Sequence, residues 1–369
     1  MQNICKRDLT DVLSHLPEVL PYNPTVDKES KSAELFLCVL GFEPRSLVLP
    51  ELLGRAGFKA HRAVYLQYAT NKNDNEINLP LLEEHLTAIS LSVSSLREES
   101  TDFDREFREL ITNLSCDRNV ARARVTFDIS GAANRLILKS LIPLLESDID
   151  LTVIYSEAST YHPTEDEYEV SLEQWKSDET LGLERGVSRV LFSSDHPGNH
   201  LDPLPDCIII FPTFKAERSW AAINKVDPSL ITAPREKVIW LVGEPHHQGD
   251  RWRKQAMISI NRITPQMKQC DVSTFDYKEV IQKLETIYEG IWECCNVSLL
   301  PLGSKLQAVG TSIFCYMHPD IRLVYAVPKE YNALQYSDGC KATWKIDFGS
   351  TTELRKVLDS VGELFIRKT

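Results

Sequence analysis

The sequence predicts an α/β protein made of two tandem doubly wound domains, and three observations support this. Short apolar runs, typical of strands buried on both faces, alternate with helix-like amphipathic stretches in both halves of the chain. A chain of 369 residues is too long for one core and suits two domains. The first landmark recurs about 172 residues later, where Phe42, Arg45 and Ser46 return as Phe214, Arg218 and Ser219. We therefore expect two Rossmann-like domains with parallel sheets flanked by helices, produced by internal duplication and paired about a pseudo-two-fold axis.

Three further landmarks keep the same order and nearly the same spacing. They are Phe103 and Asp104 with Phe275 and Asp276, Gly131 with Gly303, and Tyr155 and Tyr161 with Tyr325 and Tyr331. The stretch 195–205 is rich in turn-forming residues and predicts a linker. The first domain is therefore expected over 1–195 and the second over 196–369.

The first half predicts strands over 35–40, 63–68, 125–127 and 151–155, with an extra strand over 188–192. Its helices are expected over 47–56, 79–97 and 102–115 and after Gly131, with a polar loop over 71–78. The second half predicts strands over 207–211, 237–242, 297–300 and 321–325, with an extra strand over 343–348. Its helices are expected over 216–224, 249–261, 275–293, 305–317 and 351–365.

Composition narrows the class of protein. The apolar and charged fractions, 43% and 25%, are those of a soluble globular protein, and neither a membrane-spanning run nor a signal-peptide core is found. Nine scattered cysteines indicate reduced thiols, so a cytoplasmic location without a metal site or cofactor is expected. A net charge of −12 argues against non-selective coating of nucleic acid, but it permits a local anion site.

The loop after the strand over 125–127 is the leading candidate for ligand binding. It contains Asp128, Ser130, Gly131 and Arg135 at the head of a helix, where N–H groups and a positive dipole favour an anion. In the alternative, Ser130 caps the helix and Asp128 forms a turn. The second copy offers Gly303, Ser304 and Lys305 at the same place.

The loops after the first strands give a second pair of candidates. Arg45 with Ser46, and Arg218 with Ser219, open helices in the two halves and could face ligand phosphates across the cleft. Equally, each arginine could pair with its nearby glutamate and fix the loop, while the serine caps the helix.

The loop that contains Glu244, His246 and His247 is the candidate for catalysis, and Asp128 is a further candidate. The alternative is a polar strand-to-helix loop. Trp252, which stands among Arg251, Arg253 and Lys254, could stack a base or belong to a solvated helix face. Dinucleotide-binding, P-loop and nucleophile-elbow motifs are not found in the sequence, which disfavours those enzyme classes.

The spacing Asp128-x-Ser130-x4-Arg135 after a strand resembles the signature of CRISPR-associated Rossmann-fold (CARF) sensors. In this chain the basic residue falls one position late, and Leu300 replaces the aspartate in the second copy. The resemblance implies paired domains that bind a cyclic oligonucleotide between their loops, in prokaryotic antiviral defence.

These observations together favour a non-catalytic nucleotide sensor or adaptor. It would bind a small anionic ligand, such as a nucleotide second messenger, between the halves and signal to a partner effector protein. Two alternatives stay open. One is a nucleotide-processing hydrolase that uses the Glu244 loop, and the other is a structural subunit of a defence complex.

Overall fold

The computed structural model describes residues 9–26, 32–68, 70–115, 122–174, 184–232, 236–333 and 336–362. Contacts divide the chain into two compact units. Unit 1 comprises Met1–His162 and Ala333–Thr369, and unit 2 comprises Pro163–Asn332. Each unit contains one parallel-rich sheet flanked by helices, which confirms the predicted α/β class with two Rossmann-like halves.

The described residues up to 174 form seven strands and six helices. The strands are β1 (Leu20–Pro21), β2 (Ser32–Val39), β3 (Lys59–Gln67), β4 (Val93–Arg97), β5 (Ala123–Asp128), β6 (Ile149–Glu157) and β7 (Thr160–Tyr161). The helices are α1 (Leu9–His15), α2 (Val48–Arg55), α3 (Lys72–Ile89), α4 (Phe103–Ser115), α5 (Asn134–Glu146) and α6 (Glu165–Gln174).

From residue 184 onward, the part of the chain that the structure describes contains eight strands and five helices. The strands are β8 (Glu184–Phe192), β9 (Asp206–Phe211), β10 (Val238–Glu244), β11 (Lys268–Ser273), β12 (Asn296–Pro301), β13 (Arg322–Tyr331), β14 (Ser337–Asp338) and β15 (Ala342–Ser350). The helices are α7 (Ala216–Val226), α8 (Trp252–Ile260), α9 (Tyr277–Glu289), α10 (Lys305–Met317) and α11 (Thr351–Gly362). Short 3-10 turns lie at Pro44–Ser46, Pro228–Ile231 and Gln248–Asp250.

The two sheets share one strand order. In unit 1 the parallel strands run β6-β5-β2-β3-β4, and in unit 2 they run β13-β12-β9-β10-β11. In each set of five parallel strands, the strand that comes first in the sequence is central. The next two strands in the sequence lie on one side of it, and the last two lie on the other side. The central strands β2 and β9 are almost wholly buried apolar runs because helices cover both faces.

Each sheet ends in an antiparallel strand supplied from an unexpected part of the chain. Strand β8 follows the first five-strand set but pairs with β13 in unit 2. Strand β15 follows the second set but pairs with β6 in unit 1, and β1 pairs with its far edge. The chain thus passes from unit 1 to unit 2 after His162 and returns after Asn332.

Because of this exchange, the boundaries of the compact units lie after His162 and after Asn332, whereas the sequence analysis expected one boundary between residues 195 and 196. An antiparallel edge strand forms the same ladder whichever segment supplies it, so the sequence near residues 162 and 332 carries no boundary signal. Strand β7 comes just before the chain leaves unit 1, and β14 comes just after the chain returns to it. The two strands pair with each other in unit 1.

Several elements differ from the sequence prediction. The helix expected over 79–97 begins earlier, at Lys72, and ends at Ile89, while 93–97 forms β4. Strand β11 was not predicted at all. Strands β4 and β11 are both sheet edges, so their mixed polar sequences lack the apolar signal of a central strand. The final helix is described to Gly362, and the expected residues 363–365 lie outside the described part.

Separate cores stabilise the two units. In unit 1, Phe36 of β2 packs with Leu49 and Leu53 of α2 and with Leu86 and Ile89 of α3. Unit 2 has a matching cluster around the fully buried Trp240. Among the described residues no helix is both long and apolar enough to cross a bilayer.

The strand exchange leads to a prediction about fragments. A fragment of residues 163–332 contains every strand of the unit 2 sheet, so we expect it to unfold cooperatively in urea, followed by circular dichroism. A fragment of residues 196–369 lacks β8 and carries β15 without its partner β6, so it should be the less stable of the two. Higher stability of 196–369 would contradict this assignment of strands.

Candidate functional site

The end of β5 is a closed turn built by Asp128 and Ser130. Asp128 Oδ1 accepts the backbone N–H of Ser130 at 2.9 Å and also the Ser130 hydroxyl. Ser130 Oγ in turn accepts the backbone N–H of Ser156 at 2.8 Å, which joins β5 to the end of β6. Asp128 is 1% exposed and Ser130 is 0% exposed, so both side chains are buried within this turn. The geometry agrees with the turn-forming alternative for Asp128.

Two glycines let the ends of β2 and β5 come together. A Cβ on Gly131 would lie 2.6 Å from the Val39 carbonyl oxygen and 3.1 Å from Ser46 Cβ. A Cβ on Gly41 would lie 3.2 Å from the Gly131 carbonyl oxygen. Backbone therefore fills this space, and Gly131 has a packing reason to be glycine.

Helix α5 begins next to this turn without a side-chain cap. Its N-cap residue is Ala133, whose extended backbone (φ −74°, ψ 153°) suits a cap but whose methyl group cannot accept a hydrogen bond. The Ala133 N–H is donated to the Tyr68 hydroxyl, at the end of β3. The first turn of α5 thus presents a positive dipole end that no side-chain oxygen of its N-cap residue offsets.

Arg135, in this first turn, pairs with a buried carboxylate. Its Nε lies 2.9 Å from Glu98 Oε1, just beyond β4, and its side chain is 25% exposed. Burial raises the pKa of Glu98, and the charge of Arg135 only partly opposes this. Glu98 therefore holds Arg135 at the helix terminus.

Arg45 lies in the interior of unit 1 and is 2% exposed. It donates to Glu43 at 2.6 Å and to the Tyr161 hydroxyl at 3.0 Å, with longer contacts to the Tyr155 hydroxyl and the Ser156 carbonyl, both at 3.4 Å. Burial acts to lower the pKa of Arg45, but Glu43 and the two tyrosines outweigh it, and the pKa is raised well above its ordinary value. The guanidinium is permanently charged and fully enclosed.

Two serines complete this enclosure. Ser46 Oγ donates to the Glu43 carbonyl at 2.7 Å and is buried. Ser337, on the returning β14, donates to Glu43 Oε1. The expected pairing of Arg45 with a nearby glutamate is therefore present, and its geometry favours loop fixation over contact with a phosphate.

The equivalent helix start in unit 2 is closed by its own side chains. Ser304 Oγ accepts the Gln307 N–H at 3.1 Å, and Gln307 Oε1 accepts the Ser304 N–H at 2.8 Å, forming a capping box. A Cβ on Gly303 would lie 2.0 Å from Gln307 Oε1, so Gly303 makes room for this box. Lys305 is the first residue of α10 and is partly exposed.

Arg218 and Ser219 also have partners inside unit 2. Arg218 Nε donates to the Ala326 carbonyl at 2.9 Å, which ties α7 to β13. Ser219 is 0% exposed and donates to Asn261 Oδ1 at 3.1 Å.

The Glu244 loop forms an ion-paired and stacked surface. Glu244 Oε2 lies 2.7 Å from Lys254 Nζ, which also contacts Asp271. His246 is exposed and stacks on Phe275 with ring centroids 4.2 Å apart, and it touches His247 edge-on. Within the part of the chain that the structure describes, no three His, Cys, Asp or Glu residues are grouped as a metal ion requires.

Trp252 packs inside unit 2. It stacks on Tyr168 of α6 at 5.4 Å, and the Arg253 guanidinium lies 4.9 Å above its ring. Arg253 also donates to the Pro163 carbonyl and to Asp250. These contacts give Trp252 a packing role in place of the base stacking considered from the sequence.

The structure thus gathers Arg45, Ser46, Asp128, Ser130 and Gly131 at the carboxyl ends of β2, β5 and β6. Arg135 turns instead toward the end of β4. Four residues that organise this edge were not predicted, namely Tyr68, Glu98, Ala133 and Ser337. The role of Ala133 could have been predicted from the sequence, because an alanine, which cannot cap a helix, stands directly before a long helix.

Comparisons with known proteins found only weak similarity to solved structures. No family model and no curated protein matches the sequence. The structure of a type III CRISPR defence DNA nuclease activated by cyclic oligoadenylate covers 80% of this chain and 67% of its own, with a TM-score of 0.48 and 10% identity. The cytoplasmic domain of a prokaryotic cation chloride cotransporter covers 82% of this chain and 98% of its own, with a TM-score of 0.25 and 12% identity. At these values neither likeness bears on function.

The enclosure of Arg45 predicts a large effect on stability. Replacing Arg45 with Met leaves the Glu43 carboxylate buried and unpaired, which should cost about 3–5 kcal/mol in the free energy of unfolding measured with urea. The matched control is Arg55→Met, which breaks an exposed pair with Glu51 and should cost less than about 1 kcal/mol. Similar losses in the two variants would contradict a structural role for Arg45.

Proposed function

We propose that this protein is a nucleotide sensor or adaptor that binds a small anionic ligand, with a ligand phosphate at the start of α5 in unit 1. A helix N-terminus carries a partial positive charge and outward N–H groups, the combination that binds phosphate in many proteins. Arg135 places a guanidinium in the same turn, with its Nε 2.9 Å from Glu98 Oε1. Its planar guanidinium suits a phosphate oxygen pair.

The observation that carries the proposal is the contrast between two helix starts at the same topological place. In unit 2, the start of α10 is closed by the Ser304–Gln307 capping box. In unit 1, α5 follows Ala133, an N-cap residue whose side chain makes no cap hydrogen bond. A missing cap usually costs about 1 kcal/mol, so its absence at one of two equivalent positions is consistent with a site that a ligand completes.

The remaining residues of the loop then act by positioning. The turn formed by Asp128 and Ser130 fixes the direction in which α5 leaves β5. The glycine contact between Gly41 and Gly131 keeps bulky side chains away from the start of this turn. In this proposal the ligand contacts α5 and Arg135, while Arg45, Asp128 and Ser130 hold the scaffold.

The class of ligand and the biological setting rest on the sequence resemblance to CARF sensors. We propose a cyclic oligonucleotide as ligand and prokaryotic antiviral defence as the setting, with a separate effector protein as partner. Binding would transmit a signal only if the ligand favours one of two conformations that the partner distinguishes.

The hydrolase alternative has less support from geometry. A general base needs a carboxylate or imidazole within reach of a substrate proton, but the Glu244 carboxylate is 2.7 Å from Lys254 and His246 stacks on Phe275. These contacts favour a fixed surface loop.

Replacing Ala133 with Asp tests the proposed site. The new carboxylate should cap α5 and raise the free energy of unfolding by about 1 kcal/mol, because it accepts first-turn N–H groups. It should also repel a phosphate, so affinity for cyclic oligonucleotides should fall about ten-fold or more in isothermal titration. Linear oligonucleotides of the same sequence serve as the ligand comparison.

The matched control is Ser304→Ala. It removes the cap of α10 and should lower stability by about 1 kcal/mol without changing affinity for the ligand. The proposal is wrong if Ala133→Asp binds cyclic oligonucleotides as tightly as the unmodified protein does. It is also wrong if the unmodified protein binds none of the oligonucleotides.

A further inference from the structure

Strand β8 forms one edge of the unit 2 sheet. It pairs with β13 on one side, and no strand from the described part of the chain lies on its other side. Such an edge offers unpaired main-chain N–H and C=O groups to a further strand. The ladder with β13 shifts at Ser188, which has no residue opposite it, so the regular end of the edge is 189–192.

Three positive side chains surround this end of β8. Arg189 belongs to the strand itself and is exposed. Lys225 Nζ, from the last turn of α7, lies 5.4 Å from the centroid of the Phe192 ring. Arg322 Cζ, from the first residue of β13, lies 4.6 Å from the same centroid. Phe192 is 38% exposed, so the ring that carries both cations reaches the surface.

No carboxylate of the described residues lies within ion-pair distance of these three cations. Lys225 and Arg322 contact the Phe192 ring, and Arg322 also donates from its Nε to the Pro197 carbonyl at 3.2 Å. Burial lowers the pKa of Arg322, and the charge of Asp206 only partly opposes this. An approaching carboxylate would therefore stabilise the charged guanidinium.

Positive charges on an edge strand often serve to prevent aggregation. Two features of this edge go beyond that protective use. Lys225 and Arg322 come from elements other than the edge strand, and both are gathered on one exposed aromatic ring. The chain has 53 acidic residues against 41 basic ones, yet it leaves these cations without ion pairs of its own among the described residues. The arrangement therefore fits an acidic partner.

We infer that the end of β8 is a docking surface for an extended segment of a partner protein that is rich in aspartate or glutamate. The partner segment adds a strand beside residues 189–192. Main-chain hydrogen bonds supply the pairing, and the three cations select an acidic sequence. The inference is independent of the nucleotide site proposed in unit 1.

The spacing of the cations also defines the sequence pattern of the partner. Arg189 and Phe192 are three residues apart on one strand, so their side chains lie on opposite faces of the sheet. Lys225 and Arg322 lie with Phe192, and Arg189 serves the other face. An added strand alternates its side chains in the same way, so acidic residues at adjacent positions would meet the cations of both faces.

Binding of a synthetic peptide tests the docking surface. The probe is a short fluorescein-labelled peptide in which single valines separate pairs of glutamates, and fluorescence anisotropy measures its binding to the full chain. Arg189→Glu combined with Lys225→Glu should weaken binding about ten-fold or more, because like charges then face each other. Both altered residues are exposed, so this double variant should fold.

The matched control is Lys268→Glu combined with Lys283→Glu. Lys268 begins β11, the opposite edge of the same sheet, and Lys283 lies on α9, which packs against β11. This control changes the net charge of unit 2 by the same amount and should leave affinity for the peptide unchanged. Equal losses in the two double variants would overturn the inference.

A second peptide separates strand addition from simple attraction between charges. It has the same glutamates but prolines in place of the valines, so it lacks N–H groups that a ladder needs, and it should bind about ten-fold more weakly or worse. Hydrogen exchange followed by mass spectrometry should show protection of the amides of 189–192 by the valine peptide only. Equal binding of the two peptides, or no binding of the valine peptide, would also overturn the inference.

Discussion

The buried pair of Arg45 and Glu43 is the interaction on which the organisation of unit 1 depends. One guanidinium connects the loop after β2 with β6 through Tyr155 and with β7 through Tyr161. Glu43 extends the connection to Ser337, on the segment that returns from unit 2. Because Arg45, Glu43, Tyr155 and Ser337 are buried, their bonds operate away from water and are hard to replace once broken. The candidate edge of the sheet is therefore fixed before any ligand arrives.

This constraint explains why Arg45, one of the candidate ligand-binding arginines, already has partners within unit 1. A phosphate would have to displace Glu43 and enter a space with 2% exposure of the Arg45 side chain. The positive end of α5 lies outside that enclosure and is reinforced by Arg135. The buried charge of Arg45 therefore fixes the scaffold.

The sequence allowed the class of fold and the central strands to be predicted because buried parallel strands are continuous apolar runs, as in β2 and β9. It did not allow β4 and β11 to be predicted, since edge strands carry few apolar residues. The roles of Arg45 and Ser130 could not be separated from ligand binding by sequence, because a buried ion pair and a phosphate clamp use the same residue types. Burial and partners, which only the fold supplies, distinguish them.

The crossed edge strands set an order of events during synthesis. The ribosome releases β2 to β6 long before β15, so the open side of β6 has no partner until the last strand emerges. Unit 2 meanwhile receives β8 first and can close as soon as β13 appears. The nascent chain therefore carries an unpaired β6 edge through the synthesis of about 190 residues, a period in which such an edge can pair wrongly. Completion of unit 1 is coupled to the arrival of the C-terminal segment.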